Sequence, residues 1–204
     1  MIRAFGALLV AAGTVFATPV WSAGLPDIRG VLIQAPLVCG NFTQSKSLKA
    51  LTRPLISQGR VVFATGIGVL WQPTSPFPSQ VLVKADALIR WDSENKPKRT
   101  GFGQSPQFRA LSDVFLAVFA GDTSRLAAAF DTVASVGKKS WSLVLKPRDK
   151  GFAARISGIR VSGGQFVEEL QIAEGQGDTT VIRFKDLTAD GCALSDTEKD
   201  YLAH

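Results

Sequence analysis

Phe42-Thr43-Gln44-Ser45-Lys46, then Arg53-Pro54-Leu55-Ile56-Ser57-Gln58-Gly59-Arg60-Val61-Val62-Phe63, then Gly68-Val69-Leu70-Trp71 are three short extended runs, punctuated by Pro54, Gly59, Gly66 and Gly68. Their apolar residues form no single buried run but alternate, or nearly so, with polar ones at the period of a strand. That pattern predicts a strongly curved antiparallel sheet. Its inner face has to be covered by some other part of the chain.

Working outward, the spacing predicts a first strand over Val38 to Ser47, a second over Ser57 to Thr65 and a third over Val69 to Gln72. Pro73, Pro76 and Pro78 force a loop before strands at Gln80 to Ala85 and Leu88 to Trp91. The polar segment Asp92 to Arg99 reads as a hairpin tip. Upstream, Ile28, Val31, Leu32 and Ala35 make one apolar stripe, which predicts a short helix over Asp27 to Pro36.

The period changes after residue 104. Ser105-Pro106 is an N-cap followed by Pro at the first helical position, and Phe108, Leu111, Phe115 and Phe119 recur at helical spacing up to a C-capping Gly121. The expected helix is Pro106 to Ala120, with a shorter one capped by Asp122 and running through Ala129. Beyond it the chain is β again. Trp141, Leu143 and Leu145 share one face of Ser140 to Lys146, and strands at Ile156 to Ser162, Gln165 to Ala173 and Thr179 to Lys185 are joined by Gly-rich turns. The fold class is therefore α+β, mainly β: about ten strands in a curved sheet or incomplete barrel, with the Phe-rich helix as its cover. Filled by side chains, the interior is a core; left partly open, it is an apolar pocket. Phe63, Leu70, Trp71, Val81, Val83 and Trp141 are its expected wall, with facings open by one residue, and Leu111, Phe115 and Phe119 its expected lid.

Residues 1 to 24 read as a signal peptide: Arg3, an apolar stretch from Ala4 to Phe16 and small residues near Ser22 to Gly24. The apolar part is shorter than the roughly 20 residues that span a bilayer. Residues 25 to 204 then form a single domain. Loss of Arg3 leaves 22 basic against 17 acidic side chains. The cations are scattered except in Lys96-Pro97-Lys98-Arg99, and the aromatics lie on apolar faces rather than among Arg and Lys, so nucleic acid is not an expected partner. In an exported chain the isolated pair Cys39 and Cys192 predicts a disulfide. Two thiolates and a terminal His204 make no credible metal site.

Catalysis has little to work with. His204 is the single histidine of the sequence, so no His-based triad or acid–base pair is available. Gly66-Ile67-Gly68 and Gly101-Phe102-Gly103 do not continue into phosphate-binding helix starts, and Glu168-Glu169 sends two carboxylates to opposite faces of a strand. The sequence predicts a binding protein without a cofactor, not an enzyme.

Gly40-Asn41-Phe42-Thr43-Gln44-Ser45-Lys46, Ser57 to Phe63, Gly68-Val69-Leu70-Trp71 with Pro76 after it, the Gly163-Gly164 hairpin and the strand Gly177 to Phe184 together resemble the LolA family of periplasmic lipoprotein carriers. The resemblance implies an incomplete, strongly curved β-barrel, closed by helices, that holds acyl chains. It implies a periplasmic monomer that takes a lipoprotein, glycolipid or other acylated cargo from an inner-membrane donor protein and passes it to an outer-membrane acceptor. A regulatory, lipid-sensing module of the same fold is the alternative. Two departures mark a divergent branch. Thr65 and Gly66 stand where better-known carriers have a lid-latching Arg, and the Cys pair is not a general feature of the family.

Overall fold

The computed structural model describes residues 28–102 and 106–204. The signal-peptide expectation for residues 1 to 24, Asp27 and the N-cap Ser105 lie outside the described residues, as does the Phe108 side chain. Among the described residues eleven strands form one sheet: β1 (Leu37–Ser47), β2 (Leu55–Ala64), β3 (Gly68–Ser75), β4 (Val81–Val83), β5 (Ala87–Trp91), β6 (Pro97–Gly101), β7 (Phe130–Val136), β8 (Trp141–Pro147), β9 (Ile156–Gly163), β10 (Val167–Glu174) and β11 (Thr179–Thr188). Their order is β6-β5-β4-β3-β2-β1-β11-β10-β9-β8-β7, and every pairing is antiparallel.

Two consequences follow from that order. The first and last strands pair at the centre, with Phe42 opposite Phe184 and Gln44 opposite Ile182. The outermost strands, β6 and β7, do not pair with each other, so the barrel is incomplete. Helix α1 (Pro106–Ala120) and a 3-10 turn (Thr123–Ala128) are the connection between those two edges. The covering helix is thus the part of the chain that has to cross from one margin of the open sheet to the other.

One apolar cluster joins Val69 of β3 to Phe130 of β7, and takes in Phe42, Phe63, Trp141, Leu143, Ile159, Leu170, Ile182 and Phe184. Strands lie about 4.8 Å apart, so a flat sheet could not bring such distant strands into one cluster. The sheet curls round it. Ile28 and Leu32, before β1, and Val114, Ala117 and Val118 of α1 fill the same interior. A four-residue helix, α2 (Lys150–Ala153), adds Phe152 against Phe130, ring centroids 5.9 Å apart.

The opposite face of β1 to β5 carries a second cluster: Cys39, Val62, Ala64, Leu70, Leu82, Ile89 and Trp91, covered by Tyr201 and Leu202. These last two belong to α3 (Asp196–Leu202), whose start is set by a reciprocal capping box between Ser195 and Glu198. Cys39 and Cys192 form the expected disulfide, Cα atoms 5.6 Å apart across 153 residues, and pin the segment leading to α3 onto β1.

Several expectations are corrected. The helix over Asp27 to Pro36 is a single 3-10 turn, Ile28–Gly30. The N–H of Ile33 donates to Gln165 O instead of continuing a helix, and Gly30 weakens any helix there. The hairpin tip over Asp92 to Arg99 is shorter, because Pro97–Gly101 is edge strand β6. Its cations are held by acids: Lys96 by Glu94, Lys98 by Asp92 and Arg99 by Asp86. The cationic run is therefore largely neutralised, and Asp92 is held below its ordinary value, first by the Lys96 N–H. Helices α2 and α3 were not anticipated. Helix α1 has the expected bounds, and Gly121 ends it in the left-handed region at φ 69°.

Candidate lipid-binding interior

Strand alternation decides which expected wall residues meet. Phe63 pairs with Val69 and Val38, Val61 with Trp71 and Val69 with Val83, so these six share the inner face. Phe63 is 4 % exposed, while Trp71 and Val83 pack half-buried against the interior cluster. Val81 pairs with Trp71 and is on the same side by register, half-exposed near the strand's end. Trp141 comes from the far side of the sheet. It is buried and its Nε1–H donates to Gly164 O at 2.9 Å. Leu70 does not join them. It sits between Val69 and Trp71 on β3, pairs with Val62 and Leu82, and belongs to the cluster under α3.

Leu111, Phe115 and Phe119 of α1 all pack against the interior. Phe119 stacks on Phe63 with centroids 5.4 Å apart and meets Phe184 edge-on at 5.3 Å. Phe115 meets Trp71 edge-on at 6.1 Å. Trp71 in turn stacks on Phe42 and touches Phe184 edge-on. An aromatic plug of Phe42, Phe63, Trp71, Phe115, Phe119 and Phe184 therefore fills the middle of the barrel. Sequence reasoning missed Phe42 and Phe184 as wall residues. Both lie on the alternating face of central strands, which is the signal that could have found them.

At one margin of the plug a cavity of about 220 Å³ remains, lined among others by Phe63, Ile67, Leu116, Ala117 and Ala120. It lies between the last turns of α1 and the β2–β3 turn, so its wall is part helix and part sheet. Drug-sized ligand pockets are usually about 300 to 1,000 Å³. This cavity falls below that range, whereas a larger one of about 650 Å³, lined among others by Val31, Phe166, Val167, Phe184 and Leu187, borders the plug at Phe184 and falls within it. Thr65, at one of the positions where a latch was expected to be absent, anchors the N-terminal segment instead: its Oγ1–H donates to Ala35 O at 2.8 Å. Contacts between α1 and the sheet described above are apolar, and an exposed Arg29–Asp122 pair at 3.3 Å ties the end of the helix to the N-terminal turn.

Polar chemistry is sparse inside. Thr132 Oγ1 is buried without a hydrogen-bond partner among the described residues. No group of three His, Cys, Asp or Glu among them could hold a metal ion.

The model of the family described as outer membrane lipoprotein carrier protein LolA matches residues 35–196, more than half of the chain. The chain belongs to the LolA family. The LolA match contains all eleven strands, α1 and α2, and stops at the first residue of α3. Among solved structures, the LolA superfamily protein NE2245 of Nitrosomonas europaea is 12 % identical, covering 84 % of this chain and 94 % of its own, with a TM-score of 0.42. A domain described as an outer membrane lipoprotein-sorting protein, from Vibrio parahaemolyticus, is also 12 % identical, covering 82 % and 92 %, with a TM-score of 0.43. The Pseudomonas aeruginosa MucA/MucB complex matches at 16 % identity over 81 % of this chain and 54 % of that one, with a TM-score of 0.40. No curated protein matches the sequence.

Proposed function

We propose that this protein is a periplasmic carrier that shields the acyl chains of a lipoprotein or other lipid and delivers them toward the outer membrane, without chemistry. Family membership supports the general role. The observation that carries the specific one is the aromatic contact between a lid helix and the inner face of an open sheet, where Phe115 and Phe119 meet Trp71, Phe63 and Phe184. In the closed state those rings occupy the space that acyl chains would take. Each buried CH₂ of a cargo is worth about 0.8 kcal/mol, so an incoming chain offsets the loss of lid contacts by replacing them. Release is the reverse, with the aromatic plug re-forming as the chain leaves. An inner-membrane donor and an outer-membrane acceptor are the partners this cycle requires.

Native mass spectrometry of protein purified from its own periplasm tests the reading. The expected result is an acylated species bound at one copy per chain, with an N-terminus near residues 22 to 24. Protein that carries no lipid and does not bind fluorescent fatty-acid probes would overturn it.

A further inference from the structure

The end of the barrel formed by the β1–β2 hairpin exposes apolar side chains that the interior does not use. Leu51 in the loop is 47 % exposed, and Leu55 and Ile56 at the start of β2 are 53 % and 50 % exposed. Because Gln58 pairs with Ser75, β3 ends where β2 begins, and the loop that follows carries Phe77, 82 % exposed, at the same end. Single exposed apolar residues are ordinary on a protein surface. Four gathered at one end of a sheet are not scattered.

The facing of these residues selects the occupant. Leu55 pairs with Lys46 and Ile56 with Ser45, so the two are consecutive on a strand and project to opposite faces. A protein docking on one face would cover one of them and leave the other in water. Immersion of the tip in an apolar medium covers both, together with Leu51 and Phe77.

Charge points the same way. Lys49 and Arg53 flank Leu51 in the loop, both exposed, and neither side chain forms an ion pair among the described residues. Nearby, Lys46 at the end of β1 is paired with Glu174 at 3.1 Å, and the 96–99 run is paired with Asp86, Asp92 and Glu94. The neighbouring acids are engaged, Glu174 by Lys46 and Asp178 by the Lys49 N–H at 2.8 Å. Two cations beside an apolar tip match a bilayer with anionic headgroups, the apolar groups entering the interface and the cations staying at phosphate level.

We infer that the β1–β2 tip, with Phe77 beside it, is a membrane-contact surface that partitions into the interface of an anionic bilayer. It rests on the carrier reading only in requiring that a bilayer be within reach, and it names the surface by which the carrier meets the membrane.

Vesicle flotation tests it, using phosphatidylglycerol/phosphatidylethanolamine vesicles against pure phosphatidylcholine, with the soluble purified protein and its N-terminus mapped by mass spectrometry. The native protein should float with the anionic vesicles. The triple variant Leu55→Ser, Ile56→Ser, Phe77→Ser should lose about tenfold in bound fraction. Lys49→Gln with Arg53→Gln should lose about fivefold per charge removed and should lose its preference for anionic lipid. Val133→Ser, an exposed apolar position on edge strand β7, should float like the native protein. Native protein that does not float, or a triple variant that floats as well as native, overturns the inference. A fatty-acid probe assay on the same samples separates the two readings: vesicle binding through the tip without probe uptake sinks the carrier and keeps the contact, and probe uptake without flotation does the opposite.

Discussion

Phe42 and Trp71 stack face to face on the inner surface, ring centroids 3.6 Å apart and planes inclined by 23°, although they sit on β1 and β3 with β2 between them. The residue paired with Phe42 on β2 is Gly59, which has no side chain to stand between the rings. A Cβ at Gly59 would lie 2.0 Å from Gln72 O, so the strand itself requires glycine there. One small residue thus lets two large ones meet and close the barrel's interior.

Replacing Phe42, 2 % exposed, by Ala should destabilise the protein by about 3 to 5 kcal/mol. If its ring is part of a displaceable plug, the variant should also take up a fluorescent fatty-acid probe more readily than the native protein. Urea denaturation and probe titration on the same preparation check both effects. Lost stability with unchanged uptake would make Phe42 ordinary core.

The Cys39–Cys192 bridge closes a loop of 153 residues and ties the segment before α3 to β1. Replacing both cysteines by Ser should cost about 2 to 5 kcal/mol. The loss should show as a lower urea midpoint in the variant and as a similar drop when the native protein is reduced. Because the bridge lies in the cluster on the outer side of the sheet, acyl-probe affinity should change far less than stability.

Leu70 shows what the sequence made legible and what it hid. Leu70 and Trp71 are neighbours on a strand, so only one of them could face the interior, and the choice depended on register that β3 alone does not reveal. Val62-Phe63, Leu70-Trp71 and Val81-Leu82-Val83 are apolar on both faces of the same strands. That pattern announces a second layer, and the layer was written as Ser195-x-x-Glu198 ahead of Tyr201-Leu202, a capping box before an apolar pair. Helix α1 was readable to the residue because its signals are local: Pro at the start, an aromatic stripe and a terminal glycine. The aromatic plug was half-legible, since the partners of Phe63 and Trp71, namely Phe42 and Phe184, come from β1 and β11, whose pairing across most of the chain no local pattern specifies.

Glu198 links that second layer to pH. It is 6 % exposed. Burial pushes its carboxyl up, but the Ser195 N–H and the Arg60 guanidinium outweigh it and hold the group below its ordinary value of 4.5. A carboxyl lowered by folding contributes stability that is fully present above that ordinary value and is lost as pH falls through the folded one. Native protein should therefore lose stability on acidification below about pH 4.5. Glu198→Gln should be less stable at pH 7 by about 1 to 3 kcal/mol, with a shallower acid limb. Thermal melts from pH 7 to pH 3 check this, and parallel curves for the two proteins would refute it.

Helix α1 is where the proposed carrier reading is tested most directly. Phe115 and Phe119 are half-buried against Trp71, Phe63 and Phe184, and on the proposed carrier reading closure of α1 would rest mainly on this apolar contact. Lid closure should then depend weakly on ionic strength, because few charges are there to screen. Phe115→Ala at a rigid core position would cost about 3 to 5 kcal/mol. At a yielding lid the expected loss is smaller, and the rate of acyl-probe exchange rises instead. Trp71 fluorescence, measured with the other tryptophans replaced, reads exchange directly, because its ring touches both Phe115 and Phe42. A full-sized stability loss with unchanged exchange would make α1 an ordinary core helix and leave the barrel permanently closed.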